Sequence, residues 1–305
     1  MKSIPARFKR PTLLIVGCGD IGLRVLALLR GRYRVLALSS SPQRFAALRA
    51  AGAVPLGGNL DDPASLSRIA ALADAVLHLA PPPGEGPDDP RTRHLVQALA
   101  RGLAPGTGTD RHLKTLVYGS TTGVYGDCGG AFFDETRPVN PGTARARRRV
   151  DAESTLRRFG RQSGVRVTLL RIPGIYAGDR EGGHPRERLA RGTAVLAAPD
   201  DVYTNHIHAD DLARACVATL TRGLPQRAIN ACDDTDLKMG DYFDLAADLA
   251  GLPRPPRIAR AEAAEKLSPM LLSFMSESRR LANRRLKQEL KLRLRYPTVR
   301  EGLVA

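Results

Sequence analysis

Short apolar runs alternate with helix-like periodicity through the first half of the chain. Residues 13–16 form an apolar run of strand length, and the next apolar positions repeat with the spacing of one helix face. Further strands are predicted at residues 33–38, 54–56, 75–79, 115–118 and 165–170. Helices are predicted between them at residues 42–51, 65–72, 91–100 and 150–158. This alternation predicts an α/β fold with a doubly wound parallel sheet.

The alternation loosens after residue 177, where a glycine- and arginine-rich stretch begins. We therefore predict a nucleotide-binding domain over residues 1–177 and a smaller C-terminal substrate lobe over residues 178–305. An apolar segment at residues 228–231 reads as a strand that returns to the main sheet. Residues 200–235 are accordingly predicted to return to the first domain, which makes the lobe interleaved with it.

The sequence pattern also predicts the structure of three further segments. Most of residues 261–286 reads as helix, and the alternation of Leu290, Leu292 and Leu294 with charged residues predicts a short, half-exposed strand. The proline-rich residues 81–87 follow the fourth strand, at the edge where ligands of such sheets bind. They form either a mobile cover over that edge or a rigid surface loop.

A GxGxxG motif lies between the first strand and the first helix. Gly17 permits the tight turn, Gly19 lets the backbone approach a pyrophosphate, and Gly22 lets the helix pack closely on the strand. Asp20 and Ile21 complete the motif at the helix start, whose free N–H groups attract phosphate. A glycine-rich turn of another α/β protein is the alternative, and the flanking strand and helix favour a dinucleotide site.

The end of the second strand bears on which dinucleotide is bound. NAD sites usually carry an Asp or Glu there, whereas this chain has Ser39, Ser40 and Ser41. Hydroxyl groups can donate to a 2′-phosphate, and Arg44 on the following helix can supply a counter-charge. Ser41 and Pro42 also form an ordinary helix start. We expect NADP as the cofactor, with NAD as the alternative.

Composition narrows the function classes. No apolar run of the 305 residues approaches 18, so no membrane span is predicted. The basic amino terminus is followed by an apolar stretch of only strand length, so we expect no secretory signal. Four widely spaced cysteines fit reduced thiols in a cytoplasm. The net charge of +16 is concentrated at residues 145–149 and 277–300, where few aromatic residues occur. Solvated helix faces explain it better than a nucleic-acid groove.

Residues 119–127, Gly-Ser-Thr-Thr-Gly-Val-Tyr-Gly-Asp, resemble the end of the fifth strand in extended and atypical short-chain dehydrogenase/reductases. These form the nucleoside-diphosphate-sugar epimerase/dehydratase group, with a Rossmann sheet. Other similar stretches are residues 58–62, 78–80, 135–141, 170–176, 205–211 and 286–303. The resemblance therefore spans nearly the whole chain.

This resemblance implies roles for three pairs of residues in cofactor binding. Asn59 and Leu60 match the segment that contacts adenine. Leu79 and Ala80 match the turn under the ribose. Pro173 and Gly174 match the loop beside the nicotinamide.

The resemblance also implies a catalytic Ser/Thr, a Tyr and a Lys four residues after that Tyr. Thr121 matches the Ser/Thr. Counting from the prolines at 138 and 141 places Gly142 at the tyrosine position and Ala146 at the lysine position, and neither can transfer a proton. The chain thus resembles atypical members that lack the Tyr-x-x-x-Lys pair.

Replacement candidates can be named. Tyr125 or Tyr176 can act as the acid, and Arg145 or Arg147 can supply the lysine's charge. A structural role is favoured over a catalytic one for each of these side chains, and Thr121 with Tyr125 is the pair that we name as catalytic.

A His-x-His-x-Asp pattern at His206, His208 and Asp210 suggests a metal site, because alternate strand residues share one face. The resemblance instead identifies Asp210 as part of the acidic start of a helix. We therefore predict no metal.

Two functions remain. The first is an NADP-dependent oxidoreductase or epimerase-like enzyme on an unknown small molecule, and arginines of the lobe suit an anionic one. The second is a non-catalytic dinucleotide-binding sensor or partner-binding protein. A homodimer is compatible with either, and nucleic-acid binding is the least favoured.

Overall fold

The computed structural model describes residues 10–103 and 113–304. Its strands are β1 (Thr12–Val16), β2 (Arg34–Ser39), β3 (Val54–Gly57), β4 (Ala75–His78), β5 (Thr115–Thr121), β6 (Phe132–Phe133), β7 (Arg166–Ile172), β8 (Gly174–Tyr176), β9 (Val195–Leu196), β10 (Tyr203–Thr204), β11 (His206–His208), β12 (Arg227–Asn230), β13 (Leu237–Lys238), β14 (Arg257–Ile258) and β15 (Arg280–Leu281).

Its α-helices are α1 (Asp20–Leu28), α2 (Phe45–Ala50), α3 (Pro90–Arg101), α4 (Ala144–Ser163), α5 (Arg186–Ala190), α6 (Ala209–Arg222), α7 (Met239–Ala250), α8 (Arg260–Lys266), α9 (Pro269–Phe274), α10 (Arg284–Gln288) and α11 (Val299–Leu303). No helix among these described residues is long and apolar enough to cross a bilayer. The basic residues 1–9, which bear on the secretory-signal prediction, lie outside the described part of the chain.

A seven-stranded parallel sheet forms the centre of the fold, with the order β12-β7-β5-β4-β1-β2-β3. Its inner strands are mostly apolar and buried because helices cover both faces. In β1, Leu13, Leu14 and Ile15 are fully buried. The order reverses at β1, where β2 lies on one side and β4 on the other. This topological switch opens a crevice at the carboxyl ends of the strands. The predicted doubly wound fold is confirmed.

The two faces of the sheet have separate cores. On one face, α1 and α6 pack together and bury Val25, Leu26 and Leu212. On the other face, α3 and α4 bury Leu95 and Leu156. Both helix layers lie under the crevice and fix the positions of the loops that surround it.

The lobe has its own small core around Phe243 of α7, with Leu189 of α5 and Ile258 of β14. The lobe is connected to the main sheet through β12. This strand lies within the C-terminal part of the sequence but pairs in parallel with β7. The lobe therefore sits over one end of the sheet and walls the crevice from that side.

Three predicted elements were wrong in their bounds or type. Helix α4 begins at Ala144, because Thr143 caps it by accepting a hydrogen bond from the Ala146 N–H. Residues 63–69 form a 3₁₀ helix capped by Asp62. Residues 261–286 are broken into shorter elements, since Ser268 caps a new helix that has a proline in its first turn.

The predicted strand at residues 290–294 is absent from the described structure. Leu290, Leu292 and Leu294 are buried as the alternation requires, but their burial comes from packing against the α1–α6 core. Lys291 has a φ of 50°, which interrupts any extended ladder. The alternation of leucines with charged residues therefore indicated burial on one side of this segment, but it did not indicate pairing with another strand.

The proline-rich loop after β4 is fastened to the helices beside it. Arg148 of α4 donates to the carbonyl oxygens of Gly84 (2.9 Å) and Gly86 (2.7 Å). Arg91 of α3 donates through Nη1 to the carbonyl oxygen of Pro81 at 3.3 Å. These contacts favour the rigid surface loop over the mobile cover.

Candidate functional site

Two neighbouring cavities occupy the crevice. The glycine-turn cavity, of about 320 Å³, is walled by the turn at residues 17–22 and by the ends of β5 and β7. The lobe cavity, of about 650 Å³, lies between the end of β5, the start of α4 and the lobe. Thr121, Arg149, Pro173, Ile175 and Arg180 line both cavities.

The turn between β1 and α1 fits a phosphate-bearing dinucleotide. Gly17 has a φ of 84°, and a Cβ placed there would lie 2.4 Å from the backbone nitrogen of Ala80. A Cβ on Gly22 would lie 3.0 Å from the Cys18 Sγ, whereas one on Gly19 would meet nothing within 4 Å. Two glycines therefore allow close packing, and the third leaves open space over the helix start, where phosphate binds.

Asp20 lies in the first turn of α1 and lines the glycine-turn cavity. Its carboxylate accepts hydrogen bonds from Arg24 Nε and Arg180 Nε, each at 3.1 Å. Arg24 also contacts Asp179 (2.5 Å) and Asp210 (2.6 Å). In this structure Asp20 is thus paired with Arg180 and with Arg24, which it shares with Asp179 and Asp210.

The serines after β2 and Arg44 lie beside the same turn. β2 pairs with β1, so Leu38 lies opposite Val16 and Ser39 comes next to the glycine turn. Ser39 Oγ accepts a hydrogen bond from the Ser41 N–H at 3.2 Å, and Ser40 is exposed. Arg44 Nη2 donates to the carbonyl oxygen of Cys18 at 2.6 Å, which brings its guanidinium against the turn.

The other predicted cofactor residues divide into two groups. Leu79 and Pro173 line the glycine-turn cavity, Ala80 lies directly under Gly17, and Gly174 lines the lobe cavity. Asn59 and Leu60 line neither cavity. They form a turn after β3, where Asn59 Oδ1 accepts from the Asp61 N–H at 3.0 Å and the Leu60 carbonyl lies 2.7 Å from His94 Nδ1.

Arg149 of α4 is a site residue that the sequence reasoning missed. Its Nη1 donates to the Tyr118 hydroxyl at 2.9 Å and to the Gly119 carbonyl at 2.7 Å. These contacts hold the guanidinium at the end of β5, next to Thr121. Counting from the prolines directed attention to Ala146, and nothing in the arginine run at 147–149 distinguishes the member that turns toward the crevice.

The lobe cavity is strongly cationic. Its lining contains six arginines and two glutamates: Arg145, Arg149, Arg180, Arg188, Arg191, Arg279, Glu187 and Glu277. Arg188 stacks on the Phe243 ring, with its Cζ 4.1 Å from the ring centroid. Its Nε and Nη2 are buried without a hydrogen-bond partner among the described residues. Burial lowers the pKa of this guanidinium to about 10.

Comparison with known proteins identifies the family of this chain. The model of the NAD dependent epimerase/dehydratase family matches residues 13–232, which include β1, the glycine turn and β12. The chain belongs to this family. A search of curated proteins found no match.

Three solved structures are similar to this chain over nearly its whole length. A functionally unknown conserved protein from Silicibacter pomeroyi DSS is 32% identical, with a TM-score of 0.75 and coverage of 96% of this chain and 97% of that one. UDP-glucose 4-epimerase from Thermotoga maritima, with UDP-glucose, is 19% identical, with a TM-score of 0.77 and 96% of both chains covered. The DesIV double mutant, a dTDP-glucose 4,6-dehydratase from Streptomyces venezuelae with NAD bound, is 20% identical, with a TM-score of 0.74 and 96% and 94% covered. The last two show a shared fold.

The structure does not bring the predicted catalytic residues Thr121 and Tyr125 to the same cavity. Thr121 lines both cavities, and its Oγ1 accepts from the Gly123 N–H at 3.2 Å. Tyr125 lines neither cavity. Its ring is buried, its hydroxyl donates to Asn230 Oδ1 at 2.8 Å, and burial raises its pKa to about 12. The structure thus places the Tyr125 hydroxyl in a buried hydrogen bond outside both cavities, and its role as the acid stays a prediction.

The other replacement candidates are also constrained. Tyr176 lines the lobe cavity, but its hydroxyl donates to the Thr298 carbonyl at 3.3 Å, and burial raises its pKa. Arg145 lines the lobe cavity with its guanidinium 4.8 Å from the Phe274 centroid. Arg147 lines neither cavity and donates to the Gly142 carbonyl at 3.3 Å.

The two positions that the sequence reasoning matched to the family's Tyr and Lys differ in their surroundings. Gly142 is exposed in the segment before α4 and lines neither cavity. Ala146 is buried in the first turn of α4 and lines the lobe cavity. Arg149, one turn later on the same helix, supplies a positive charge at the junction of the two cavities.

The His-x-His-x-Asp residues serve local structure. His208 caps α6 by accepting from the Asp210 N–H at 3.2 Å. His206 Nε2 lies 2.9 Å from Thr204 Oγ1, and burial lowers the pKa of this imidazole to about 4. The described residues contain no group of three side chains suited to hold a metal ion.

Proposed function

We propose that this protein is an oxidoreductase or epimerase-like enzyme that uses a nicotinamide dinucleotide on a small, anionic carbonyl or hydroxyl compound. The observation that carries the proposal is the shared wall of the two cavities at Thr121, Arg149 and Pro173. A dinucleotide on the glycine turn and a substrate in the lobe cavity would meet there. The bound dinucleotide supplies or accepts a hydride.

Thr121 and Arg149 have complementary roles in this proposal. The Thr121 hydroxyl can donate to a substrate oxygen while its own oxygen accepts from Gly123. Arg149 stays protonated at neutral pH, so it stabilises negative charge that develops on that oxygen and does not transfer protons. Its guanidinium is fixed in advance by Tyr118 and Gly119, so little reorganisation is needed.

The excess of arginine in the lobe cavity supports an anionic substrate. Carboxylates and phosphates accept paired hydrogen bonds from a guanidinium. Arg188 supports this most directly, since a buried cation without a carboxylate partner is costly to maintain. An anion in the lobe cavity would offset the cost if the side chain turned toward it.

We also propose a preference for NADP. Arg44 lies against the glycine turn and Ser40 is exposed beside it, so both are available to a 2′-phosphate. No acid follows β2 at the place where NAD sites usually carry one.

Titration of the purified protein with NADPH and with NADH tests the proposal. We expect saturable binding, with NADPH bound more tightly. Arg44→Ala should weaken NADPH binding by about tenfold and leave NADH nearly unchanged, which corresponds to about 1.4 kcal/mol for one charge-assisted contact. Arg49→Ala, an exposed arginine on the same helix, is the matched control. Equal losses for both cofactors in Arg44→Ala would contradict the preference.

A non-catalytic dinucleotide-binding protein is the second candidate. The observation in its favour is that the hydroxyls of Tyr125 and Tyr176 both donate to acceptors of the chain itself, Asn230 Oδ1 and the Thr298 carbonyl. Hydride transfer to any member of a panel of anionic carbonyl compounds would favour the enzyme. Tight dinucleotide binding without turnover across the panel would favour the second candidate.

A further inference from the structure

Arg180 lies where the two cavities meet, in the segment between β8 and α5. It follows β8 in the segment that leads into the lobe, and its side chain lines both the glycine-turn cavity and the lobe cavity. Its Nε donates to Asp20 Oδ2 at 3.1 Å, and its Nη1 lies 3.5 Å from the Ile175 carbonyl. A lobe residue is therefore paired with the acid of the glycine turn.

The charges around the glycine-turn cavity make this pairing informative. Among the described residues that line it, the charged side chains are Asp20, Arg149 and Arg180. Arg149 is tied to the end of β5 by two hydrogen bonds. Arg180 is the lining cation that touches the helix start where phosphate would lie.

The Asp20–Arg180 pair is suited to exchange. Both side chains are about one-third exposed, with values of 35% and 30%, and exposed pairs contribute little to stability. Asp20 would keep a partner after the exchange, because Arg24 donates to its other carboxylate oxygen. Arg24 is itself held by Asp179 and Asp210, so it is less free to move.

We infer that Arg180 leaves Asp20 for a phosphate group of the dinucleotide when the cofactor binds. This inference rests on the proposed function, since it requires a dinucleotide on the glycine turn. Arg180 gives Asp20 a single hydrogen bond, through Nε, whereas the two phosphates of a dinucleotide carry two negative charges between them and can accept a pair of N–H groups from one guanidinium. Asp20 therefore acts as a placeholder that holds Arg180 over the empty turn and competes with the ligand for it.

A double-mutant cycle tests the exchange, with the dissociation constant of NADPH measured by fluorescence titration at fixed ionic strength. Arg180→Met should weaken binding by about tenfold, as expected for one charge-assisted contact, and Arg180→Lys should recover part of the loss. Asp20→Asn should tighten binding several-fold, because the competitor for Arg180 is removed. The gain from Asp20→Asn should fall to less than half in the Arg180→Met background.

Direct repulsion between Asp20 and phosphate would produce the same gain in both backgrounds, and that result would overturn the inference. Weaker binding in both single variants would also overturn it, because it would show that the pair is a fixed structural clamp. Arg186→Met, which removes an exposed arginine that lines neither cavity, is the control for general charge loss. Thermal unfolding of each variant checks that the fold is retained.

The cycle separates this inference from the proposed function. If the unmodified protein binds neither NADPH nor NADH, the proposed function fails and the exchange fails with it. If NADPH binds and Arg180→Met binds equally well, the exchange alone is overturned.

Discussion

The pairing of Glu153 with Arg171 under the end of β5 should show strong coupling in a double-mutant cycle. Arg171 Nε and Nη2 donate to the two carboxylate oxygens of Glu153 at 3.2 and 2.8 Å, and both side chains are only 5% exposed. Ser120 Oγ also donates to Glu153 at 2.6 Å, and the guanidinium stacks on Tyr125. This network supports the strand end that carries Thr121.

Removing one partner leaves a buried charge without a counter-ion, which costs about 3–5 kcal/mol of unfolding free energy. Glu153→Leu and Arg171→Met should each destabilise the protein in that range. The double variant removes both charges and leaves the Ser120 hydroxyl unpaired, which costs about 1 kcal/mol more than a fully apolar replacement. We therefore expect the double variant to cost no more than about 2–3 kcal/mol, less than either single change at its upper value.

Urea unfolding followed by circular dichroism measures these three free energies against the unmodified protein. The expected coupling energy is at least about 2 kcal/mol, well above the error of additivity for distant sites. Additive losses in the double variant would refute the reasoning, because they would mean that the two charges are stabilised independently of each other.

Two further predictions concern the glycine turn and a buried acid. Gly17→Ala should lower the melting temperature and abolish dinucleotide binding, because the new Cβ would lie 2.4 Å from the Ala80 nitrogen; Gly31→Ala, with a φ of 80° and open space, should cost clearly less. Burial raises the pKa of Asp233 to about 7, so the contribution of this carboxyl to stability should fall as pH rises from about 4 to 7, opposite in sign to that of His206, whose pKa is lowered by burial. The melting temperature of Asp233→Asn relative to that of the unmodified protein should therefore rise across this range, and a difference that does not change with pH would contradict the reasoning.

Most strands of the main sheet could be predicted because the sequence pattern that indicates a strand involves only neighbouring residues. Apolar runs of strand length, interrupted by helical spacing, predicted β1 to β5 and β7 close to their observed bounds. The alternation at residues 290–294 misled because burial on one side does not require a strand partner. The early start of α4 was missed because Thr143 caps a first turn that is mostly arginine and alanine and carries no apolar stripe.

The candidate site was only partly readable. The glycine motif was predicted from its position after a strand, and Thr121 and Pro173 were predicted from the resemblance to the family. The structure brings them to one crevice. The motif around Tyr125 does not indicate where its hydroxyl points, and only the structure shows the buried hydrogen bond to Asn230. Arg149 was missed because counting from the prolines at 138 and 141 placed the lysine position at Ala146 and drew no attention to the next turn of α4.

The sequence by itself determined the α/β alternation, the glycine turn after β1 and the strand ends that carry the site, since each depends on residues close together in the chain. Only the tertiary structure decided which charges meet. Asp20 and Arg180 are separated by 160 residues, yet they form a hydrogen bond across the crevice. Such pairings depend on how the lobe lies over the sheet, and a pattern of neighbouring residues contains no record of that placement.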